Sequence, residues 1–195
     1  MPSTDLPASA RSELIALARR SIEQVLEHGA HTPLDVPIRH TELLSPAATF
    51  VTLLERDTRS LRGCCGTLEA RLPLAEDVWT NARASAFADP RFPALTRDEW
   101  PGIVLHISVL STPVEFQVAS RAELLNTLRP GVDGLVVQYG ARRATFLPAV
   151  WEQLSETREF VRHLLAKAGL PPDFWSPQLR WFRYDVQEFG DDVSS

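Results

Sequence analysis

The stretch Ala48–Leu68, ATFVTLLERDTRSLRGCCGTL, decides the fold. Ala48–Glu55 is rich in β-branched and aliphatic side chains and predicts a strand. Arg56–Ser60 is polar and of hairpin size, so Leu61–Leu68 returns as the antiparallel partner. The hexapeptide LRGCCG, Leu61–Gly66, therefore sits in a strand that opens almost directly out of a turn, at a sheet end.

On the N-terminal side, Leu14, Leu17, Ala18, Ile22, Val25 and Leu26 recur at helical spacing, which predicts an amphipathic helix over Ser12–His28 closed by Gly29 and laid on the sheet. Met1–Ser9 is small, polar and Pro-containing, without the basic start or apolar run of a signal peptide. Residues 1–11 are thus expected to form a flexible tail, and 12–190 a single domain. Pro33 and Pro37 make Thr32–Pro37 an extended connection.

On the C-terminal side, Glu76–Ala88 is a helix with Val78, Trp79, Ala82 and Ala86 on one side, stopped at Asp89 and Pro90. Thr96 and Glu99 form a capping-box pattern that Pro101 and Gly102 cut to about one turn. Ile103–Leu110 is a strand. Ser120 and Glu123 repeat the capping box before a short helix that ends at Pro130 and Gly131. Gly134–Tyr139 and Arg143–Leu147 read as a hairpin that Pro148 terminates. Thr157–Ala168 carries the apolar stripe Phe160, Val161, Leu164 and Leu165, and Leu179–Val186 is a last strand returning to the sheet. Strands and helices do not alternate strictly, so the class is α+β: a mostly antiparallel sheet covered by helices, in two lobes.

A chain of 195 residues, 44% hydrophobic and 23% charged, can bury a full core. No run approaches the roughly 20 apolar residues of a membrane span. A net charge of −5 and scattered basic residues disfavour a nucleic-acid partner. The only cysteines, Cys64 and Cys65, are adjacent and give no disulfide framework, which fits a reducing cytoplasm. His28 and His31 lie close together without a third ligand at metal spacing, so no metal site is expected. Nucleotide-loop and serine-hydrolase motifs are absent from the sequence.

In a regular strand Arg62, Cys64 and Gly66 share one face, and Leu61, Gly63, Cys65 and Thr67 the other. Same-face neighbours are about 6.6 Å apart, a gap a guanidinium spans, and a cation favours a thiolate. Cys64 is then the candidate nucleophile with Arg62 beside it. Gly63 and Gly66 leave a shallow seat, explained by a bulge or by close approach of a ligand or another backbone. Cys65 packs as a small hydrophobe. His106, which interrupts an apolar strand, would reach Cys64 only if their strands were neighbours.

LRGCCG resembles the LRGCIG hexapeptide of the AMMECR domain family, whose prokaryotic members are called AmmeMemoRadiSam system protein A. The resemblance continues in order through Phe50–Leu53, Asn81 and Ala82, Asp89–Pro93 (DPRFP), Ile107–Leu110, Thr145–Pro148, Phe160 and Lys167–Leu170. Departures fall at Cys65, where the family has an aliphatic residue, and at Ala94 and Ala149. The resemblance implies a larger lobe holding both chain ends, a smaller lobe, and the hexapeptide at or near a cleft. Its genomic company implies a shared pathway or complex with a Memo-like protein and a radical S-adenosylmethionine enzyme. Iron–sulfur chemistry would belong to that partner, and no cofactor is designated for this chain.

Two functions compete. In one, Cys64 is a thiolate nucleophile or substrate-holding group activated by Arg62, and Leu61, Gly63, Gly66, Asp89 and Arg91 line a site for a small-molecule ligand. In the other, the segment is the rigid surface of a non-catalytic binding or adaptor module. Asp89 and Phe92 also read simply as a turn cap and an apolar plug.

Overall fold

The computed structural model describes residues 5–29 and 33–191. His31 and Thr32 lie outside them. The chain divides into two compact units, Met1–Leu110 with Gln187–Ser195, and Ser111–Val186.

The first unit begins with helix α1, Ala8–His28, which starts earlier than its apolar spacing required, directly after Pro7. Pro7 has no N–H to lose, and its carbonyl accepts from Arg11 N at 3.1 Å. Gly29, in the left-handed region at φ 67°, closes the helix through its N–H to Val25 O. Strands β1, Ala48–Glu55, and β2, Leu61–Gly66, form the expected antiparallel hairpin. Helix α2, Leu74–Phe87, follows, and β3, Ile103–Leu110, pairs antiparallel with the other side of β1. Thr96 and Glu99 do form a capping box: Thr96 N and Oγ1 donate to Glu99 Oε2 at 2.9 and 2.8 Å, and a 3-10 turn at Trp100–Gly102 leads straight into β3.

The second unit holds β4, Val114–Phe116; α3, Arg121–Thr127; β5, Gly134–Tyr139; β6, Arg142–Phe146; α4, Thr157–Lys167; and β7, Arg180–Tyr184. Its sheet runs β4-β7-β5-β6, antiparallel throughout. The expected single strand Leu179–Val186 is in fact two. Asp185 exchanges backbone pairing for Ser111, its O accepting from Ser111 N and its N donating to Ser111 Oγ, both at 2.9 Å. The chain then enters β8, Val186–Gly190, in the other sheet, whose order is β2-β1-β3-β8. Alternating aromatic and charged residues fix the strand character of this stretch, but not which sheet each residue joins.

Each sheet has its own core. Val51, Leu53, Leu105 and Ile107 of the first pack with Leu14, Leu17 and Ile22 of α1 and Val78, Trp79 and Ala82 of α2. Leu135, Val137 and Trp181 of the second pack with Phe160, Val161, Leu164 and Leu165 of α4 and with Trp151, whose ring stacks on Phe160 at 3.6 Å. Each fully buried aliphatic or aromatic side chain contributes about 1.5–3 kcal/mol, so these stripes hold the helices on their sheets.

Leu164 is fully buried in this core, whereas Glu159 is a half-exposed member of the same helix. Leu164→Ala should therefore cost about 2–5 kcal/mol in urea unfolding, and Glu159→Ala about 0.5 kcal/mol or less. Equal losses would contradict the packing of α4.

Candidate functional site

The hexapeptide strand is fixed by a polar ladder on α2. Asp77, Asn81 and Ser85, with Asp89 just beyond the helix, recur at every fourth position on an otherwise Ala-rich face. Asp77 accepts from Thr49 N and Oγ1 at 2.9 and 2.6 Å and from Thr67 Oγ1 at 3.0 Å. Asn81 Nδ2 donates to Asp77 Oδ2 at 2.9 Å and to Thr49 O at 3.1 Å. Burial pushes the Asp77 carboxyl up, while its Thr49, Thr67 and Asn81 donors oppose the shift. Ser85 Oγ accepts from Cys65 N at 2.8 Å and donates to Val51 O at 2.7 Å, a proton shared with Asn81 O at 2.8 Å. Val51 and Cys65 are register partners, so one hydroxyl bonds an amide of β2 and a carbonyl of β1 at the same cross-strand pair.

The helix comes this close because residue 63 has no side chain. A Cβ on Gly63 would lie 2.1 Å from the Ser85 carbonyl oxygen. One on Gly66 would lie 2.4 Å from the ring of Phe50, its cross-strand partner. The expected seat is thus taken up by the protein itself, a backbone at Gly63 and an aromatic ring at Gly66.

Strand parity also breaks where it was expected to hold. Leu53 pairs with Gly63 but Leu54 pairs with Leu61, which leaves Arg62 as the extra residue of a bulge. Arg62 is only 6% exposed. Its Nε donates to Glu99 Oε1 at 2.8 Å and its Nη2 to Pro93 O at 3.0 Å and Glu99 Oε2 at 3.3 Å, with Phe92 beneath the guanidinium. This ion pair holds the Glu99 carboxyl at about 2. Arg62 therefore ties β2 to the segment after α2; the bulge turns it away from the pairing with Cys64 that a regular strand would give.

The guanidinium beside the cysteines is that of Arg91. Cys64 N donates to Asp89 Oδ2 at 2.9 Å, and Arg91 Nη2 donates to Cys64 O at 3.3 Å. Arg91 Nε and Nη2 in turn grip Asp89 Oδ1 and Oδ2 at 2.9 and 2.6 Å. Because β2 is an edge strand, these two side chains satisfy the outward N–H and C=O of Cys64 as a neighbouring strand would. Asp89 is 5% exposed, and the Arg91 hydrogen bonds hold its carboxyl well below the usual carboxylate range. Arg91 itself is pushed up, first by Asp89 and further by its nearness to Cys64 and Cys65.

Cys64 is half-buried, and its Sγ accepts from Thr52 Oγ1 at 3.3 Å. Thr52 is its cross-strand partner, and His106 is the partner of Thr52 on β3, so the three form a row on the sheet face opposite Val51 and Leu53. β3 is not the neighbour of β2, which puts His106 roughly 9–10 Å from Cys64 by strand spacing. Its Nε2 lies 3.2 Å from Arg59 Nη2. Cys65 shares the side of Val51, and burial, followed by the charge of Asp89, pushes its thiol up. Leu61 is exposed at the head of the strand. Reasoning from sequence passes over Thr52, Ser85 and Asp77, and gives Glu99 only its capping-box role. The fourfold spacing of small polar residues on α2 carries the signal for Asp77 and Ser85. Among the described residues no three His, Cys, Asp or Glu side chains converge as metal ligands, and no helix is long and apolar enough to cross a membrane.

The AMMECR1 family model matches residues 15–189. A protein of Thermofilum pendens is 37% identical over 94% of this chain and 91% of its own length, and one of Methanothermobacter thermautotrophicus is 36% identical over 92% and 93%. The crystal structure of an uncharacterized protein from Pyrococcus horikoshii superposes with a TM-score of 0.80 at 31% identity, covering 96% of this chain and 94% of that one.

Two outcomes follow from the site's geometry. Gly63→Ala drives a Cβ into the Ser85 carbonyl and should cost about 3 kcal/mol or more by urea unfolding, a loss that a merely flexible glycine would not show. Asp89 and Glu99 have depressed folded values, so their stabilisation is present above the unfolded carboxyl range and disappears as pH falls. Stability should hold down to about pH 4.5 and decline steadily towards pH 2, and Asp89→Asn should lower the plateau and shallow that decline. An unchanged acid limb in Asp89→Asn would contradict the clamp.

Proposed function

The chain belongs to the AMMECR1 family, and from that premise we propose that it works through the first-sheet face at Cys64, holding a small ligand through the thiol. The observation that carries this reading is the contrast between backbone and sulfur at one residue. Asp89 and Arg91 immobilise the Cys64 peptide on both sides, while its half-buried sulfur accepts from the hydroxyl of Thr52. A thiol on a fixed strand is preorganised for attack or for ligand binding, since no ordering of the backbone is left to be done. A hydroxyl proton directed at sulfur supports negative charge there. Arg91, with a side chain 54% exposed, supplies a cation that an anionic group on the ligand can reach. Both cysteines are free thiols, which a reducing cytoplasm preserves.

A second reading, an adaptor acting with a Memo-like protein and a radical S-adenosylmethionine enzyme, is favoured by Leu61 and Leu68. These are 39% and 46% exposed and lie on either side of the two cysteines in sequence, an apolar frame that suits a protein surface better than a small polar ligand.

Iodoacetamide labelling of the folded chain, read by peptide mass analysis across a pH series, separates the two. Cys64 should be alkylated at neutral pH, and Cys65, raised and packed towards α2, should stay silent until higher pH. Thr52→Val should slow the Cys64 reaction several-fold without loss of folding. Preferential labelling of Cys65, or of neither cysteine before unfolding, discards the thiol reading and leaves the adaptor.

A further inference from the structure

Ser9 and Glu13 lie four residues apart on α1 and so present neighbouring side chains on one face. His40 reaches both of them from the extended segment that follows the helix. Leu34, Val36 and Ile38 pack against the first core at every second position, and His40 continues that alternation. Leu43, fully buried, fixes the 3-10 turn Thr41–Leu44 just beyond it. His40 Nδ1 meets Glu13 Oε2 in a short contact, and His40 Nε2 lies 3.0 Å from Ser9 Oγ. Glu13 Oε1 is held in turn by Arg39 N, which donates at 2.8 Å.

The carboxylate decides the tautomer. An ionised Glu13 can only accept, so the imidazole proton sits on Nδ1, and Nε2 is left as a base that accepts from the Ser9 hydroxyl. Burial pushes the Glu13 carboxyl up, but the hydrogen bonds from His40 and Arg39 outweigh it and leave the group lowered. Ser9 is exposed, whereas the His40 and Glu13 side chains are 27% and 14% exposed, so the hydroxyl meets solvent and the groups behind it are sheltered. The segment leading to Ser9 is anchored by Leu6, a buried residue whose N–H donates to Gln187 Oε1 at 2.9 Å. Pro7 provides no side-chain cap, and the first amide bonded within α1 is that of Arg11, so the N–H groups of Ala8, Ser9 and Ala10 have no acceptor inside the helix. Amides at such an end favour negative charge on an ester oxygen.

We propose that Ser9, His40 and Glu13 form a nucleophilic relay that cleaves small uncharged carboxylic esters. Ser9 Oγ bonds to the ester carbonyl carbon as its proton passes to His40 Nε2. That proton leaves on the alcohol oxygen when the ester C–O bond breaks. Water, deprotonated by the same nitrogen, then hydrolyses the acylated Ser9 to a carboxylic acid and restores the hydroxyl. Glu13 is a positioning residue that holds His40 in the required tautomer. The relay brings no cation to hold an anionic group, which is why the substrate class is an uncharged ester. None of its residues is shared with the site at Cys64.

The test treats the full chain with an alkyl fluorophosphonate, which phosphonylates activated serine hydroxyls, and locates the adduct by peptide mass analysis. Ser12, exposed on the same helix with its hydroxyl donating to Ala8 O at 3.0 Å, is the internal control. Ser9 should be labelled about tenfold or more faster than Ser12. Glu13→Gln keeps an acceptor for Arg39 N but offers His40 an N–H in place of a carboxylate oxygen, which favours the wrong tautomer. Its Ser9 labelling should fall about tenfold or more, with the circular dichroism spectrum unchanged. No Ser9 adduct, or equal labelling of Ser9 and Ser12, overturns the proposal and leaves the three residues as a tether of the segment to α1. So does Ser9 labelling that is undiminished in both Glu13→Gln and His40→Phe. If either variant fails to fold, the comparison of Ser9 with Ser12 in the unsubstituted chain still decides.

Discussion

The approach of α2 to the β1–β2 hairpin is the constraint on which the first unit depends. The carbonyl oxygen of Ser85 occupies the space where a side chain on residue 63 would begin. Around Ser85 the helix carries the small buried residues Ala82 and Ala86, while Val78 and Trp79, also in this core, belong to an earlier turn. Its polar side chains are also short enough to bond the strand backbone directly. Asp77, Asn81, Ser85 and Asp89 each reach a main-chain group of β1 or β2. A helix held further out by larger residues would bury the same surface but could not put the Ser85 hydroxyl within reach of both Cys65 N and Val51 O.

Such a contact is stable only because its polar groups are satisfied. Burial raises Asp77, and four donor groups from Thr49, Thr67 and Asn81 surround it. Of these donors only Thr67 Oγ1 also reaches Oδ1, at 3.0 Å, so losing that hydroxyl would leave a desolvated carboxyl oxygen short of a partner, and such losses exceed the net worth of an ordinary hydrogen bond. The network therefore does more to specify one register of β2 than to add stability: a strand slipped by one residue would present Cys64 N, not Cys65 N, to Ser85, and would bring a side chain where Gly63 now is.

Much of this was legible in the sequence because it depends on local patterns. Ala48–Glu55 and Ile103–Leu110 are strands to the residue, and Thr96 and Glu99 close a real capping box. The bulge at Arg62 was not legible. Period-two parity assumes an unbroken ladder, and the extra residue is forced by partners far along the chain, Pro93 and Glu99, which give the guanidinium a better place than the open face. The division of Leu179–Val186 between two sheets escaped for a similar reason: the Asp185–Ser111 pairing that causes it joins residues 74 apart. Three-residue β4 is too short to carry a pattern at all.

The two arginines near the hexapeptide show why proximity in sequence is a poor guide to electrostatic role. Arg62, two residues from Cys64, is buried, and Glu99 and Pro93 fix its orientation; its charge is committed before any ligand arrives. Arg91, 27 residues away, is anchored to Asp89 by one edge and remains 54% exposed. Asp89 stays ionised far into acid, so the Asp89–Arg91 pair is nearly neutral as a unit, yet its two ends face differently: the carboxylate is buried against the Cys64 amide and the guanidinium is turned to solvent. A ligand anion at this edge would meet the cation first, while the carboxylate, 3% exposed, is shielded from it. Exchanging the burial of the two partners would reverse the sign of the surface without altering the composition of the site.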